Sequence, residues 1–254
     1  MILDSFRLDG KVALVTGSSR GLGQGAALAL AEAGADVALL DYVPSTETAG
    51  KIEALGRRTQ ILEQDLIRAT PEELDASVQS VADTLGRVDI LVNNAGIIRR
   101  APLLDHPAQD WDDVLAINLD AVFHLSRSVA RRYVEQGGGK IINIASMLSF
   151  QGGILVPGYA ASKHAVAGVT KSFANELAAY GVNVNAIAPG YMATDNTAQI
   201  RADEEREKSI LARIPAARWG TPADLQGPFV FLASPASDYL NGAIIPVDGG
   251  WLVR

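Results

Sequence analysis

Short apolar runs alternate along the chain with longer stretches of helical periodicity. Residues 12–15, 37–40, 90–92, 141–145, 182–187 and 243–247 form runs too short for helices and without polar alternation. They predict strands buried on both faces. Between them, residues 22–33, 71–85, 111–134 and 159–180 carry apolar positions three and four apart, the spacing of amphipathic helices. Strand and helix therefore alternate, which implies right-handed crossovers and an α/β fold: one doubly wound parallel sheet flanked by helices. The pattern shows no internal repeat and no low-complexity linker, so residues 1–254 are expected to form a single domain. In such sheets ligands bind beyond the carboxyl ends of the strands, and the residues after each apolar run are the first candidates for chemistry.

Composition narrows the function classes. The formal charge is −7 and basic residues are not clustered, which argues against nucleic acid and membrane surfaces as partners. There is no cysteine, so disulfides and thiolate metal sites are excluded and secretion gains no support. Residues 1–10 carry Asp4, Arg7 and Asp9 among apolar positions, without the basic start and unbroken apolar run of a signal peptide. The expected location is the cytoplasm.

After the first strand comes Thr16-Gly17-Ser18-Ser19-Arg20-Gly21-Leu22-Gly23, leading directly into a helix. Glycine permits positive φ and close backbone approach, and a helix N-terminus presents free amides to a pyrophosphate. This reads as a dinucleotide turn of a Rossmann domain, with Gly17, Ser19, Arg20, Gly21, Leu22 and Gly23 in contact. The spacing differs from the usual G-x-G-x-x-G. Asp41 closes the second apolar run about 20 residues on, where a carboxylate receives ribose hydroxyls. It predicts NAD, because a 2′-phosphate beside it would meet like charge. Arg20 argues the other way, since a guanidinium at the phosphate turn suits that 2′-phosphate. Asp65 and Leu66 follow the third apolar stretch, near an adenine. Asn93, Asn94, Ala95 and Gly96 follow the fourth, where small residues admit the ribose. For Asn94, tying loops together is an equally good reading.

Ser146 ends the fifth strand, Tyr159 opens a helix thirteen residues later, and Lys163 lies one turn beyond it on the same face. Hydride exchange at an alcohol or carbonyl needs a group that moves a proton on the substrate oxygen, and tyrosine with a pKa of about 10 is a slow base. A neighbouring ammonium, together with a cationic nicotinamide, is expected to lower that pKa. Lys163 also reaches the nicotinamide ribose, so Tyr159 and Lys163 serve cofactor and chemistry alike. Ser146 is expected to hold the substrate oxygen, and Asn118 to anchor a water that links Lys163 to solvent.

In order and spacing, Thr16 to Gly23, Asn93 to Gly96, Asn118, Ser146, Tyr159, Lys163 and Pro189-Gly190 resemble the short-chain dehydrogenase/reductase family over essentially the whole chain. The resemblance implies a catalytic set of Asn118, Ser146, Tyr159 and Lys163. It also implies a nicotinamide carboxamide contact from Pro189, Gly190, Met192 and Thr194, and a substrate lid around residues 191–214. No metal is implied, and His106, His124 and His164 lack ligand spacing. A homotetramer is implied, with contacts from the helices after Asp110 and Tyr159 and from the Asp248-Gly249-Gly250-Trp251 region.

Residues 145–153, Ile98-Arg99-Arg100 and residues 213–220 resemble the family members that act on a keto-deoxy sugar acid in pectin and uronate breakdown. On that resemblance the partner is a small sugar acid. Arg99 or Arg100, with Gln151, reads its carboxylate beside Ser146 and Tyr159, a task suited to a bidentate guanidinium. Surface or interface arginines are the competing reading. Gluconate 5-dehydrogenase, 3-oxoacyl carrier-protein reductase and a non-enzymatic dinucleotide sensor are the alternative functions on the same scaffold.

Overall fold

The computed structural model describes residues 1–254. Seven strands form one parallel sheet: β1 Val12–Thr16, β2 Asp36–Asp41, β3 Thr59–Glu63, β4 Ile90–Asn93, β5 Gly139–Ile144, β6 Val182–Pro189 and β7 Ile244–Val247. Their order is β3-β2-β1-β4-β5-β6-β7, so the winding reverses between β1 and β4. There the two crossover directions diverge and leave a crevice at the carboxyl ends. Leu14 sits opposite Ala38 on one side and Leu91 on the other, so β1 is an interior strand, buried along its whole length.

Successive β1 residues feed opposite layers, as the period-2 alternation of a strand demands. Ala13 and Val15 pack with Ala26 and Leu30 of α1 (Gly21–Glu32) and Phe229 of α9 (Pro222–Ala233). Val12 and Leu14 pack with Val78 and Val81 of α3 (Pro71–Leu85) and with Leu125 and Tyr133 of α5 (Ala121–Gln136). α3 shows why its boundaries were readable. Thr70 Oγ1 accepts from Glu73 N, Glu73 returns a bond to Thr70 N, Pro71 fits the first turn, and Gly86 ends the helix at φ 94°. α6 (Pro157–Leu177) likewise opens on a proline.

The hydropathy pattern gives no bounds for three elements. β3 is an edge strand of sequence TQILE with two exposed positions, so it lacks a continuous apolar run. α2 (Thr46–Ala54) has a weakly apolar face, and α9 carries Pro228 inside its helix. The stretch expected as one helix over 111–134 is broken. α4 (Ala108–Leu115) and α5 are joined by a π-helical turn over Ala116–Asp120, where Ala121 N reaches back to Ala116 O. Such turns shift the register of every side chain that follows. Residues 191–214 hold a turn at Asp195–Thr197, α7 (Ala198–Arg201) and α8 (Glu204–Arg213), the last capped by Asp203. No helix is long and apolar enough to cross a membrane.

Candidate active site

The crevice above β1 and β4 encloses about 660 Å³. It is lined by Gly17, Ser19, Arg20, Gly21, Leu22, Asp41, Asp65, Leu66, Ala95, Gly96, Tyr159, Lys163 and Thr194 from the expected cofactor set, and by Arg99. Gly17 (φ 65°) takes the chain out of β1, and a Cβ on Gly23 would stand 2.0 Å from Gly17 O. Glycine is therefore required at both places. α1 starts immediately afterwards with Arg20 as its N-cap and no side-chain cap, so its first-turn amides stay available to an anion. Asp41 accepts from Ser19 N at 2.8 Å and from Tyr42 N at 2.7 Å, which pins the turn and the end of β2 to one carboxylate. Each oxygen retains a further lone pair for a hydroxyl donor. The uncapped helix, the cradle that a Cβ would fill and this carboxylate together fit a dinucleotide. Arg20 leans the other way across the opening, toward Asp195 at 3.4 Å, with both side chains largely exposed.

Asn94 ties loops together. Its Nδ2 donates to Thr16 O and Gly17 O, and Thr16 Oγ1 accepts from the amides of Asn94 and Ala95. Several expected cofactor residues stand behind the crevice instead of lining it. Asn93 is buried and bonded to Ser126 and Asn143, because its side chain points into the layer under the sheet. Gly23 lies beneath the turn. Gly190 follows Pro189 against Asp248, where a Cβ would meet Asp248 Cα at 2.6 Å, and Met192 is buried in a short bridge to Gly220.

Ser146 follows β5 and accepts from Leu148 N at 3.1 Å, opening a short turn. Ser149 closes that turn by donating to Lys163 O at 2.6 Å, which fastens the serine loop to α6. One turn apart on α6, Tyr159 and Lys163 both face the crevice, and Lys163 Nζ lies 5.5 Å from the Tyr159 ring centre. Lys163 is 4% exposed, has no carboxylate partner and donates to Ile144 O at 2.6 Å. Burial pushes its pKa down to about 8.

The lowering of the Tyr159 pKa is expected from Lys163 and a cationic nicotinamide together, and the chain's own groups do not supply it. Burial pushes the phenol up, and the Ser146 hydroxyl and the Arg100 guanidinium oppose it only in part. The ammonium that was to stabilise phenolate is itself desolvated and turned toward Ile144. Asn118 is tied into the same framework. It sits on the π-turn, fully buried, with Oδ1 accepting from Ile97 N and Nδ2 donating to Ile97 O and Ser162 Oγ. Both ends of its amide are occupied. It clamps the loop after β4 to α6 beside Lys163, and Gly96 lacks a Cβ because one would stand 2.9 Å from Asn118 Oδ1.

The expected substrate residues divide as well. Arg99 lines the crevice and faces Asp110 at 3.6 Å, whereas Arg100 donates to Asn196 O at 3.2 Å. Gln151 accepts from Trp251 Nε1 at 2.9 Å. Sequence reasoning missed the aromatic group this bond belongs to: Tyr191, Trp219 and Trp251, edge to face, with Met147, Ile210 and Ile214 packed around them. The available signal was position, since Tyr191 follows β6 by two residues and Trp251 follows β7 by four.

A sequence profile of the short chain dehydrogenase family matches residues 11–205. The chain is 58% identical over 255 residues to 2-dehydro-3-deoxy-D-gluconate 5-dehydrogenase of Dickeya dadantii, covering 100% of both chains. It is 54% identical to the Bacillus subtilis enzyme of that name, over 99% of this chain and 98% of that protein. Among solved structures, a gluconate 5-dehydrogenase from Burkholderia cenocepacia in complex with NADP and tartrate superposes with a TM-score of 0.94 at 39% identity, covering 100% of both chains. The chain therefore belongs to the short chain dehydrogenase family.

Proposed function

We propose that the chain is an NAD-dependent dehydrogenase that interconverts 2-dehydro-3-deoxy-D-gluconate and 2,5-diketo-3-deoxygluconate in the cytoplasm, in pectin or uronate breakdown. The observation that carries the reading is a buried, carboxylate-free Lys163 beside Tyr159 in the crevice that Asp41 closes at its other end. Relatives at 58% and 54% identity bear the name of this activity.

In this reading a nicotinamide dinucleotide held in the crevice would supply the hydride chemistry. Tyr159 gives or takes the proton at the substrate oxygen, and Ser146 holds that oxygen. Lys163 lends positive charge to the phenol, and an oxidised nicotinamide held beside it would add to that charge. The first-turn amides of α1 receive the pyrophosphate and Asp41 the ribose hydroxyls. A 2′-phosphate beside Asp41 would face like charge, and a penalty of about 3 kcal/mol corresponds to roughly a hundredfold in affinity. The expected result is a kcat/KM with NAD at least roughly tenfold above that with NADP. A preference for NADP would remove the NAD assignment.

A second reading, gluconate 5-dehydrogenase, is favoured by the 39% identical structure and by a 43% identical 5-keto-D-gluconate 5-reductase of Escherichia coli. Assaying both keto acids with NADH separates the two.

The working form in this proposal is a homotetramer built on α5 and α6, whose outer faces join Phe123 to Phe173 at 6.0 Å and leave Phe123 and Val134 partly exposed. The Asp248-Gly249-Gly250-Trp251 region adds the remaining contact, with Trp251 itself buried in its own chain. Sedimentation would report a monomer if the proposal were wrong.

A further inference from the structure

Three arginines of this acidic chain converge on one phenol without a carboxylate to neutralise them. Arg100, Arg206 and Arg213 form no ion pair within 4.0 Å, although the chain carries 29 acidic and 22 basic side chains. Burial pushes the Tyr191 phenol up, and these same three guanidiniums oppose that rise, so all three act on its hydroxyl through space.

Arg213 is the one held in place. It is the last residue of α8, and its guanidinium carbon lies 3.9 Å from the centre of the Trp251 ring. The indole restrains the guanidinium at the contact distance of a cation–π pair while leaving its N–H groups free to bind in their own plane. The indole is anchored in turn. Trp251 Nε1 donates to Gln151 on the serine loop, and Tyr191 meets the ring at 4.8 Å. α8 docks on this platform through Ile210 and Ile214, which cluster with Met147, the residue after Ser146. Arg99 and Arg100 are less available, the first facing Asp110 and the second donating to the Asn196 carbonyl.

We propose that the Arg213 guanidinium, braced on Trp251, receives the carboxylate end of the substrate together with the Tyr191 hydroxyl, and so sets the preference for sugar acids over neutral sugars. The assignment rests on the sugar-acid reading above and moves the acid end from the loop after β4 to the helix that covers the serine loop.

The test compares wild type with Arg213→Gln and Arg213→Lys, using 2-dehydro-3-deoxy-D-gluconate and its methyl ester. The expected loss in kcat/KM for the acid is roughly 10- to 100-fold in Arg213→Gln, carried mainly by KM, with the ester unchanged and Arg213→Lys intermediate. NADH binding stays at the wild-type level, which certifies the fold. Equal losses for acid and ester, or no loss for the acid, would overturn the assignment. A second readout needs no turnover: titration with tartrate, a plain dicarboxylate, followed by tryptophan fluorescence. A saturable change in wild type that vanishes in Arg213→Gln supports the carboxylate site even if the sugar acid has been misnamed. A change retained in the variant, or none in wild type, overturns it.

Discussion

Two crevices of nearly equal size open at opposite ends of the sheet, about 660 Å³ at the carboxyl ends and about 630 Å³ at the amino ends. Both are lined by charge, and they differ in how that charge is answered. At the amino ends Asp89 accepts from Arg87 at 2.6 Å and from Val12 N at 3.0 Å, with Lys11 at 3.5 Å. Lys140 meets Asp238 at 2.7 Å and Asn183 at 2.8 Å. Each strong donor there has its acceptor, and the crevice reads as a brace between strands. At the carboxyl ends α1 leaves its first amides uncapped and Lys163 is buried without a counter-charge. Volume does not separate scaffold from site. Groups held away from their natural partners do, because a ligand that supplies those partners gains what the fold has forgone.

The sharpest way to break this contrast is Tyr159→Phe. It removes only the hydroxyl proposed to move the proton, so kcat is expected to fall by roughly 10³-fold while NADH binding, read by fluorescence titration, is unchanged. Retained turnover would mean that the carboxyl-end crevice works by another group.

The next effect is on stability. Below pH 8 both folded and unfolded chains hold the Lys163 proton, and the buried charge costs its full amount. Between about 8 and 10.5 the folded chain releases the proton first, so the unfolded chain binds more protons and stability rises with pH. Over that interval wild type should gain up to about 3 kcal/mol relative to Lys163→Met, measured by urea unfolding at the two ends. A flat difference would show that the ammonium is better solvated than its surroundings imply.

The smallest effect belongs to the amino end. Asp89→Asn keeps an acceptor for Val12 N but weakens the pairs with Arg87 and Lys11, both of which reach solvent. The expected loss is about 1 to 2 kcal/mol of stability with kcat/KM unchanged. A large fall in activity at constant stability would make that crevice a second functional site.

How much of this was legible differs from residue to residue. The glycines of the turn announce themselves because only glycine fits there, and Asp41 because a charge at the end of an apolar run has few other uses. The Tyr159–Lys163 pair follows from helical spacing alone. Asn118 was also visible, but its occupied amide was not, since its partners lie 21 and 44 positions away at Ile97 and Ser162. The π-turn that places it has no periodic signature, because the apolar spacing runs through it as through an ordinary helix. β3 was marked only as the apolar stretch before Asp65, without bounds, because an edge strand needs no continuous apolar run.

The alternation of strands and helices, the glycine turn and the Tyr159–Lys163 pair were thus determined by the sequence itself, because each depends on residues close together in the chain and on steric or periodic constraints local to them. The raised Tyr159, the partnered Asn94 and Asn118, and the guanidinium braced on Trp251 were decided only by the tertiary structure. Solvation and hydrogen-bond occupancy depend on which distant groups surround an atom, and that information exists only once the sheet has closed and α8 has docked on Trp251.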